Sequence, residues 1–317
     1  RPQIPLPYRF QKGRIIKMIE IRNVSKSFGE IRALDQVHAD IGEGQVFGLI
    51  GTNGAGKSTL MRTICGVIAP DEGSILIDGL EGYDNPTVTS RIFYISDDQY
   101  FFANTTPLEM MRFYCTYYPA FDQERFVKLL GILGLNKDRK VNTFSKGMKK
   151  QLSVLYGICS GTDYLLCDET FDGLDPVMRQ AVKSLFIQEM ETRKLTPIIA
   201  SHNLRELEDI CDHVGLLHKG GILFSRDLDE MKLGIHKVQC VLAKDTDADK
   251  ALQGMTILKK ENRGSLLTLT IKGDRETIEN TMRGICPIFY EILPLTLEEI
   301  FISETEVHGY DFKSLIL

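Results

Sequence analysis

The 317-residue sequence has no C-x-x-C pair among its seven cysteines, no run approaching the roughly 18 apolar residues that a spanning helix needs, and no basic excess. Each lack excludes something. Without paired cysteine spacing there is no zinc or dithiol motif, and Cys65, Cys115, Cys159, Cys167, Cys211, Cys240 and Cys286 read as buried thiols of a reducing compartment. Without a spanning run, any work at a membrane requires another protein to cross it. The 38 basic and 43 acidic residues give a net charge of -5, which argues against a general nucleic-acid surface. Internal repeats and low-complexity stretches are also lacking. What remains is 43% apolar and 26% charged residues, the profile of an ordinary soluble globular protein long enough for about two domains. The first residues, "RPQIPLPYRFQKGRIIK", have no apolar signal core, and Met18 looks like the natural start. Residues 1–17 are therefore expected to be an upstream-start extension or a cloning remnant.

From Met18 onward the chain alternates strand-like and helix-like stretches. "MIEIRNVSKSF" alternates apolar and polar, "QVFGLIG" reads as a short buried strand, and "STLMRTICG" as a helix closed by glycine. "RIFYIS", "DYLLCDE", "TPIIASH" and "HVGLLHKG" also read as strands. Strands separated by helices predict a mainly parallel sheet covered on both faces, an α/β class. Thr106-Pro107-Leu108-Glu109 is a capping box with proline at the first helical position, and Asp175-Pro176 opens another helix. Around Ile235 the pattern changes. "HKVQCVLA", "DADKALQG", "MTILKKENRGSLLTLTIKG", "DRETIENTMRGI" and "CPIFYEIL" give strand, helix, hairpin, helix, strand, the order of a ferredoxin-like unit, and Thr296 opens a last helix boxed by Glu299. Residues 18–234 and 235–317 are the expected domains.

The most informative stretch is "GLIGTNGAGKST". Gly51, Thr52, Asn53, Gly54, Ala55, Gly56, Lys57 and Ser58, with Thr59 behind them, match G-x-x-x-x-G-K-[ST] between a strand and a helix, the context that a phosphate loop requires. Glycines turn backbone amides onto phosphates, Lys57 reaches the β- and γ-phosphates, and the Ser58 hydroxyl ligates Mg²⁺. The chain is expected to bind a nucleoside triphosphate. "YLLCDE" ends a strand in two carboxylates: Asp168 suits the metal's water shell and Glu169 suits the orientation and deprotonation of an attacking water. His202, at the end of "IIASHN", can reach a γ-phosphate or serve only structure. The stretch "NTFSKGMKKQL" holds Ser145 at a helix start, where it suits either a phosphate or a plain N-capped helix with a lysine face.

The order of "GTNGAGKST", "FSKGM", "CDETFDGLDP" and "ASHN" resembles the nucleotide-binding subunit of ABC transporters over about Met18 to Phe224. The resemblance implies a P-loop NTPase fold with a helical subdomain, ATP and Mg²⁺ as ligands, and ATPase activity with Lys57, Glu169 and His202 as its catalytic groups. It implies that two subunits face head to tail, so that Ser145 and the amide of Gly147 meet the ATP of the other chain. Asp175, in the Gly-Leu-Asp loop, joins the nucleotide-contacting set, and Phe28 matches the adenine-stacking aromatic. There are departures. Lys146 and Met148 stand where the family has glycine and glutamine, and Asp97 falls at the Gln-loop position with Gln99 two residues on, so either can ligand the metal or the stretch is an acidic turn.

The tail, "ILPLTLEEIFISETE", is similar to those of exporter-like ATPase subunits whose membrane partners are separate chains. The expectation is an ATPase subunit, cytoplasmic and peripheral at the inner face of the membrane. It would pair with a second ATP-binding subunit, identical or paralogous, and drive a separate permease, in export rather than import. The alternative is an ABC-type ATPase of ribosomes or DNA; the double cassette, coiled-coil insert or zinc cysteines common there are lacking.

Overall fold

The computed structural model describes residues 10–11, 14–15, 17–243 and 252–307. It divides into two compact units, Arg1–Ser225 and Arg226–Leu317.

In the first unit a short antiparallel ribbon, β1 (Phe10–Gln11) with β2 (Arg14–Ile15), precedes β3 (Met18–Phe28) and β4 (Ile31–Gly42). Then come β5 (Phe47–Ile50), α1 (Lys57–Ile64), β6 (Glu72–Ile77), β7 (Leu80–Glu81), α2 (Pro86–Thr89) and β8 (Ile92–Ile95). Three helices follow, α3 (Pro107–Tyr117), α4 (Gln123–Ile132) and α5 (Lys146–Cys159). The unit continues through β9 (Tyr164–Asp168), α6 (Pro176–Arg193), β10 (Thr196–Ser201), α7 (Leu204–Glu208), β11 (His213–His218) and β12 (Gly221–Asp227).

A six-stranded sheet runs in the order β12-β11-β5-β10-β9-β8, with β11, β5, β10, β9 and β8 parallel to their neighbours in that run. β5, β9 and β10 are buried at every position, as expected of central parallel strands with both faces covered. A second sheet, β4-β3-β6-β7, is antiparallel. Alternation finds β3 but does not separate it from the parallel set, and β4 and β6 escape the sequence reading. Ile19, Ile21 and Val24 of β3 and Leu34, Val37 and Ile41 of β4 share one core with Leu60, Met61 and Ile64 of α1 and with Leu49, Leu166 and Ile198 of the parallel sheet. Both sheets thus bury their apolar faces in the same core.

A polar node ties the sheets as well. Asp78, buried after β6, accepts hydrogen bonds from Met18 N (2.8 Å) and Tyr164 Oη (2.7 Å) and pairs with Arg91 (2.5 Å). Arg91 Nε also donates to Asp163 (2.7 Å), which pairs with Lys17 (2.8 Å), a residue the sequence reading left outside the fold. Burial alone would raise Asp163, but Lys17 and Arg91 outweigh it and hold the carboxyl below its usual range.

The helices start where their sequences say. Thr106 and Glu109 form the capping box of α3, and the Asp175 side chain accepts from Met178 N ahead of Pro176 at the start of α6. Tyr156 joins the helical block: its ring lies 4.8 Å from Phe126 and 4.7 Å from Tyr114, and its hydroxyl donates to Pro107 O (2.9 Å). α5 rides close on the sheet at Gly157, where an added Cβ would lie 2.5 Å from Leu165 Cδ1 and 3.2 Å from Phe93 Cδ1.

The second unit contains α8 (Leu228–Leu233), β13 (Ile235–Val241), β14 (Thr256–Arg263), β15 (Leu266–Lys272), α9 (Arg275–Ile285), β16 (Phe289–Leu293) and α10 (Leu297–Val307). Its sheet is antiparallel in the order β14-β15-β13-β16, with a two-residue turn at Gly264-Ser265. Val238, Cys240, Leu267, Leu269 and Ile271 pack against Ile278 and Met282 of α9. Most of the helix expected over "DADKALQG" lies outside the described residues, and Leu252–Gly254 form a turn. Thr296 and Glu299 exchange the two hydrogen bonds of a capping box.

All seven cysteines are free. Five are buried as expected; Cys115 is half-buried, and Cys286 is exposed because it ends α9 in a left-handed turn that carries its side chain away from the core. Among the described residues no helix is long and apolar enough to cross a membrane.

Candidate nucleotide site

β5 delivers the chain into the loop 51–56, and α1 begins at Lys57. The loop fits tightly. A Cβ at Gly51 would lie 2.6 Å from Leu217 O, and Gly56 has φ +106° with Ala33 O only 2.4 Å from where a Cβ would stand. Only glycine suits Gly56 in that backbone state. No side chain caps α1, so its first-turn N–H groups point out of the helix with the positive end of its dipole, as an anion site requires. Lys57 is buried, and its Nζ donates to Gly51 O (2.7 Å) and Thr52 O (3.2 Å) and lies 3.3 Å from Glu169 Oε1.

Asp168 and Glu169 follow at the end of β9, and the strand turn sends them different ways. Asp168 is buried; its Oδ2 accepts from Tyr94 Oη (3.0 Å), while its Oδ1 has no hydrogen-bond partner. Burial pushes its carboxyl above the usual range, Glu169 and Asp97 add to this, and the hydroxyls of Ser58 and Tyr94 act against it. A buried, unpartnered carboxylate oxygen beside a serine hydroxyl is a hard-cation donor set, so Ser58 and Asp168 fit Mg²⁺. Among the described residues no cluster of three or more His, Cys, Asp or Glu forms a complete metal cage.

Glu169 is left-handed, with φ 47°, a costly state for a residue with a side chain. Its N–H donates to Ala200 O (3.0 Å), its carbonyl accepts from Lys150 Nζ (2.5 Å), and its Oε2 lies 2.9 Å from His202 Nδ1. The residues on either side of His202 are anchored to one carboxylate. Ser201 Oγ donates to buried Glu206 (3.1 Å), and Asn203 Nδ2 reaches the same carboxylate (3.2 Å).

The structure thus brings together Lys57, Asp168, Glu169 and His202 with the loop. Asp97 approaches the same group, its Oδ1 3.5 Å from Lys150 Nζ, whereas Gln99 turns its amide onto Ser96 O (3.3 Å) and Asp97 O (3.2 Å) of its own loop. Phe28 is 49% exposed at the end of β3, outside the core, with Lys26 Nζ 5.7 Å from its ring centroid. Ser145 is an N-cap, accepting from Met148 N (3.2 Å). Near it, Lys146 Nζ lies 3.9 Å from Asp172, and a Cβ on Gly147 would lie 3.5 Å from Gly173 O, so this corner adjoins the loop that ends at Asp175.

A family model described as "ABC transporter" matches residues 34–172, from β4 through α5 to the loop after Glu169. The ABC transporter ATP-binding protein YtrB of Bacillus subtilis (strain 168) is 33% identical over 287 residues, covering 90% of this chain and 98% of that protein. This chain belongs to the ABC transporter ATP-binding proteins. The bacitracin transport ATP-binding protein BcrA of Bacillus licheniformis is 31% identical over 218 residues, covering 68% of this chain and 71% of the relative. Among solved structures, an ATP-binding subunit of an ABC transporter is 26% identical with a TM-score of 0.63, covering 68% of this chain and 92% of that one. The chain is accordingly an ATPase of the P-loop class, and ATP is its nucleotide.

Three residues of this ATPase's site escaped the sequence reading: Tyr94, Lys150 and Glu206. Lys150 left a trace, for it interrupts the apolar stripe of α5 four residues before Val154. Tyr94 sits inside an apolar strand and Glu206 three residues after the Asn203 cap, where nothing in the local pattern separates a buried carboxylate from a solvated one.

Proposed function

We propose that this ABC transporter ATP-binding subunit pairs with a second ATP-binding subunit and drives a separate membrane-spanning permease from the inner, cytoplasmic face of the membrane, in export rather than import. The observation that carries the catalytic part is the convergence of Lys57, Asp168, Glu169 and His202 at the mouth of the glycine loop. Lys57 and the loop amides neutralise charge developing on the phosphates. Ser58 and Asp168 would hold Mg²⁺, with Asp97 close by, and a bound Mg²⁺ supplies charge neutralisation across the phosphate oxygens. Glu169 takes the proton of the attacking water. Because His202 Nδ1 faces the Glu169 carboxylate, its Nε2 is the ring nitrogen left to meet a γ-phosphate oxygen. Ser145 and Gly147 serve the nucleotide of the facing subunit, and Phe28 stacks on adenine.

An aromatic patch supports the permease. Exposed Tyr100 and Phe102 stand 5.7 Å apart, Phe102 and Phe113 4.8 Å, and Phe113 and Tyr117 5.1 Å, a contiguous apolar surface beyond the Asp97 loop of the kind that partners cover. Export is supported by the likeness of the tail to exporter-like subunits, and a transport role by a relative named for bacitracin transport. The test of the catalytic reading is Glu169→Gln. It should retain ATP binding, lose about 10²–10⁴-fold in hydrolysis and accumulate as an ATP-bound dimer. Unchanged phosphate release would overturn it, and identification of the co-purifying membrane protein tests the permease.

A further inference from the structure

We infer that Lys150 is a positioning residue that sets the backbone of Glu169 and couples it to the helix opening at Ser145; the inference rests on the proposed role of Glu169. Lys146, Lys149 and Lys150 share the first turns of α5, but Lys146 is exposed and Lys149 half-buried, whereas Lys150 has no exposed surface at all. Burying a lysine gives up both rotamer freedom and hydration, so its amine must find acceptors. It finds two, and neither belongs to its own helix: Glu169 O at 2.5 Å and Asp97 Oδ1 at 3.5 Å. These acceptors follow the ends of two adjacent parallel strands, β9 and β8.

The first contact falls on a strained residue. Glu169 keeps φ 47° while its own N–H is pinned to Ala200 O of β10 at 3.0 Å. With the carbonyl pinned by Lys150, both sides of the residue are fixed, from a strand on one side and from α5 on the other. The direction of the carboxylate, which lies 3.3 Å from Lys57 Nζ and 2.9 Å from His202 Nδ1, follows from that backbone state. A shift of α5 therefore reaches the proposed base through one hydrogen bond. The contact to Asp97 adds the loop after β8 to the same node. Lys150 touches no reacting atom and acts through Glu169.

The experiment compares Lys150→Met, Lys150→Arg and Lys150→Gln in the full chain, with and without Glu169→Gln, under conditions where the wild type hydrolyses ATP. Lys150→Met keeps the length of the stem and removes the donor. It should lower kcat by about 10–100-fold, the scale of a small misplacement of a reacting group. The affinity for a fluorescent ATP analogue should stay within about threefold, the pattern of a lost transition-state contact. Lys150→Arg should restore part of kcat. In the Glu169→Gln background, Lys150→Met should change residual turnover by less than about twofold, because its effect passes through the group already removed. Should Lys150→Met fail to fold, Lys150→Gln carries the same comparisons. Wild-type turnover, equal losses of affinity and kcat, or a full multiplicative loss in the Glu169→Gln background would each overturn the positioning role. If Glu169→Gln alone turns over normally, the assignment of the base fails first and the inference with it, a result distinct from the other three.

Discussion

Asp97 and Gln99 are two residues apart, and the structure separates them by what their polar ends face. Gln99 bonds its own turn, while Asp97 lies close enough to Asp168 to help raise its carboxyl and stands 3.5 Å from Lys150. A hard cation prefers a carboxylate oxygen, so Asp97→Ala is expected to raise the Mg²⁺ needed for half-maximal hydrolysis by about tenfold and Gln99→Ala to leave it unchanged. Equal, small effects on a Mg²⁺ titration would return the stretch to a plain acidic turn. Residues whose chemistry is written in contiguous spacing were legible at this scale: Gly51 to Ser58 match a motif because backbone amides, an amine and a hydroxyl must be met by one short loop. Lys150 was not legible as part of the site, since its two acceptors lie 53 and 19 residues away and only the tertiary fold supplies them.

Among elements, the helix starts were read from caps that involve neighbours only, as at Thr106, Asp175 and Thr296. The parallel strands were read from their apolar runs. β4 and β6 escaped because their partnership with β3 is a matter of register across the chain, and in "IRALDQVHADIG" the alternation slips between Leu34 and Val37, where two polar residues stand side by side. The pairing of those strands with the rest is reinforced at Asp78, Arg91 and Asp163, and Asp163 gives a test with a definite sign. Its folded carboxyl is held below the ordinary 3.8 by Lys17 and Arg91 against burial. The stability it contributes is therefore present above pH about 3.8 and lost as pH falls through the lower folded value. Asp163→Asn should cost about 1–3 kcal/mol at pH 7, the range for hydrogen bonds to a charged group and the group's desolvation. In thermal melts the gap between wild type and variant should hold from pH 7 to 5 and begin to close only below about 4. A gap already closed at pH 6 would remove the ion pairs as its cause.

For the whole molecule, the chain up to residue 234 carries every nucleotide-site residue, and the second unit has a sheet and core of its own. A chain ended before Ile235 is expected to fold and to bind ATP, checked by its melting transition and by fluorescent-nucleotide titration. Failure of both would mean that residues 1–234 are not autonomous. Pairing of subunits is tested by complementation. Lys57→Ala disables the phosphate loop and Ser145→Arg puts bulk where a facing γ-phosphate would dock, so each alone should be inactive. In a mixed dimer one interface joins the intact loop of one chain to the intact Ser145 corner of the other, and part of the hydrolysis should return. A verified mixed dimer without recovery would count against service across the interface; with a different native partner, the loop change is placed in that partner.

Gly157, where α5 rides close on the sheet, lies seven residues beyond Lys150, about 10 Å along the rod. In the terms of a lever it is the fulcrum: the bare backbone rests on Leu165 and Phe93, and the arm beyond it carries Lys150 and then Ser145. The height of that bearing point is set by a single missing methyl. A side chain there would tilt the arm and shift its far end most, so a change that touches neither nucleotide nor base would still alter where Lys150 and Ser145 come to rest.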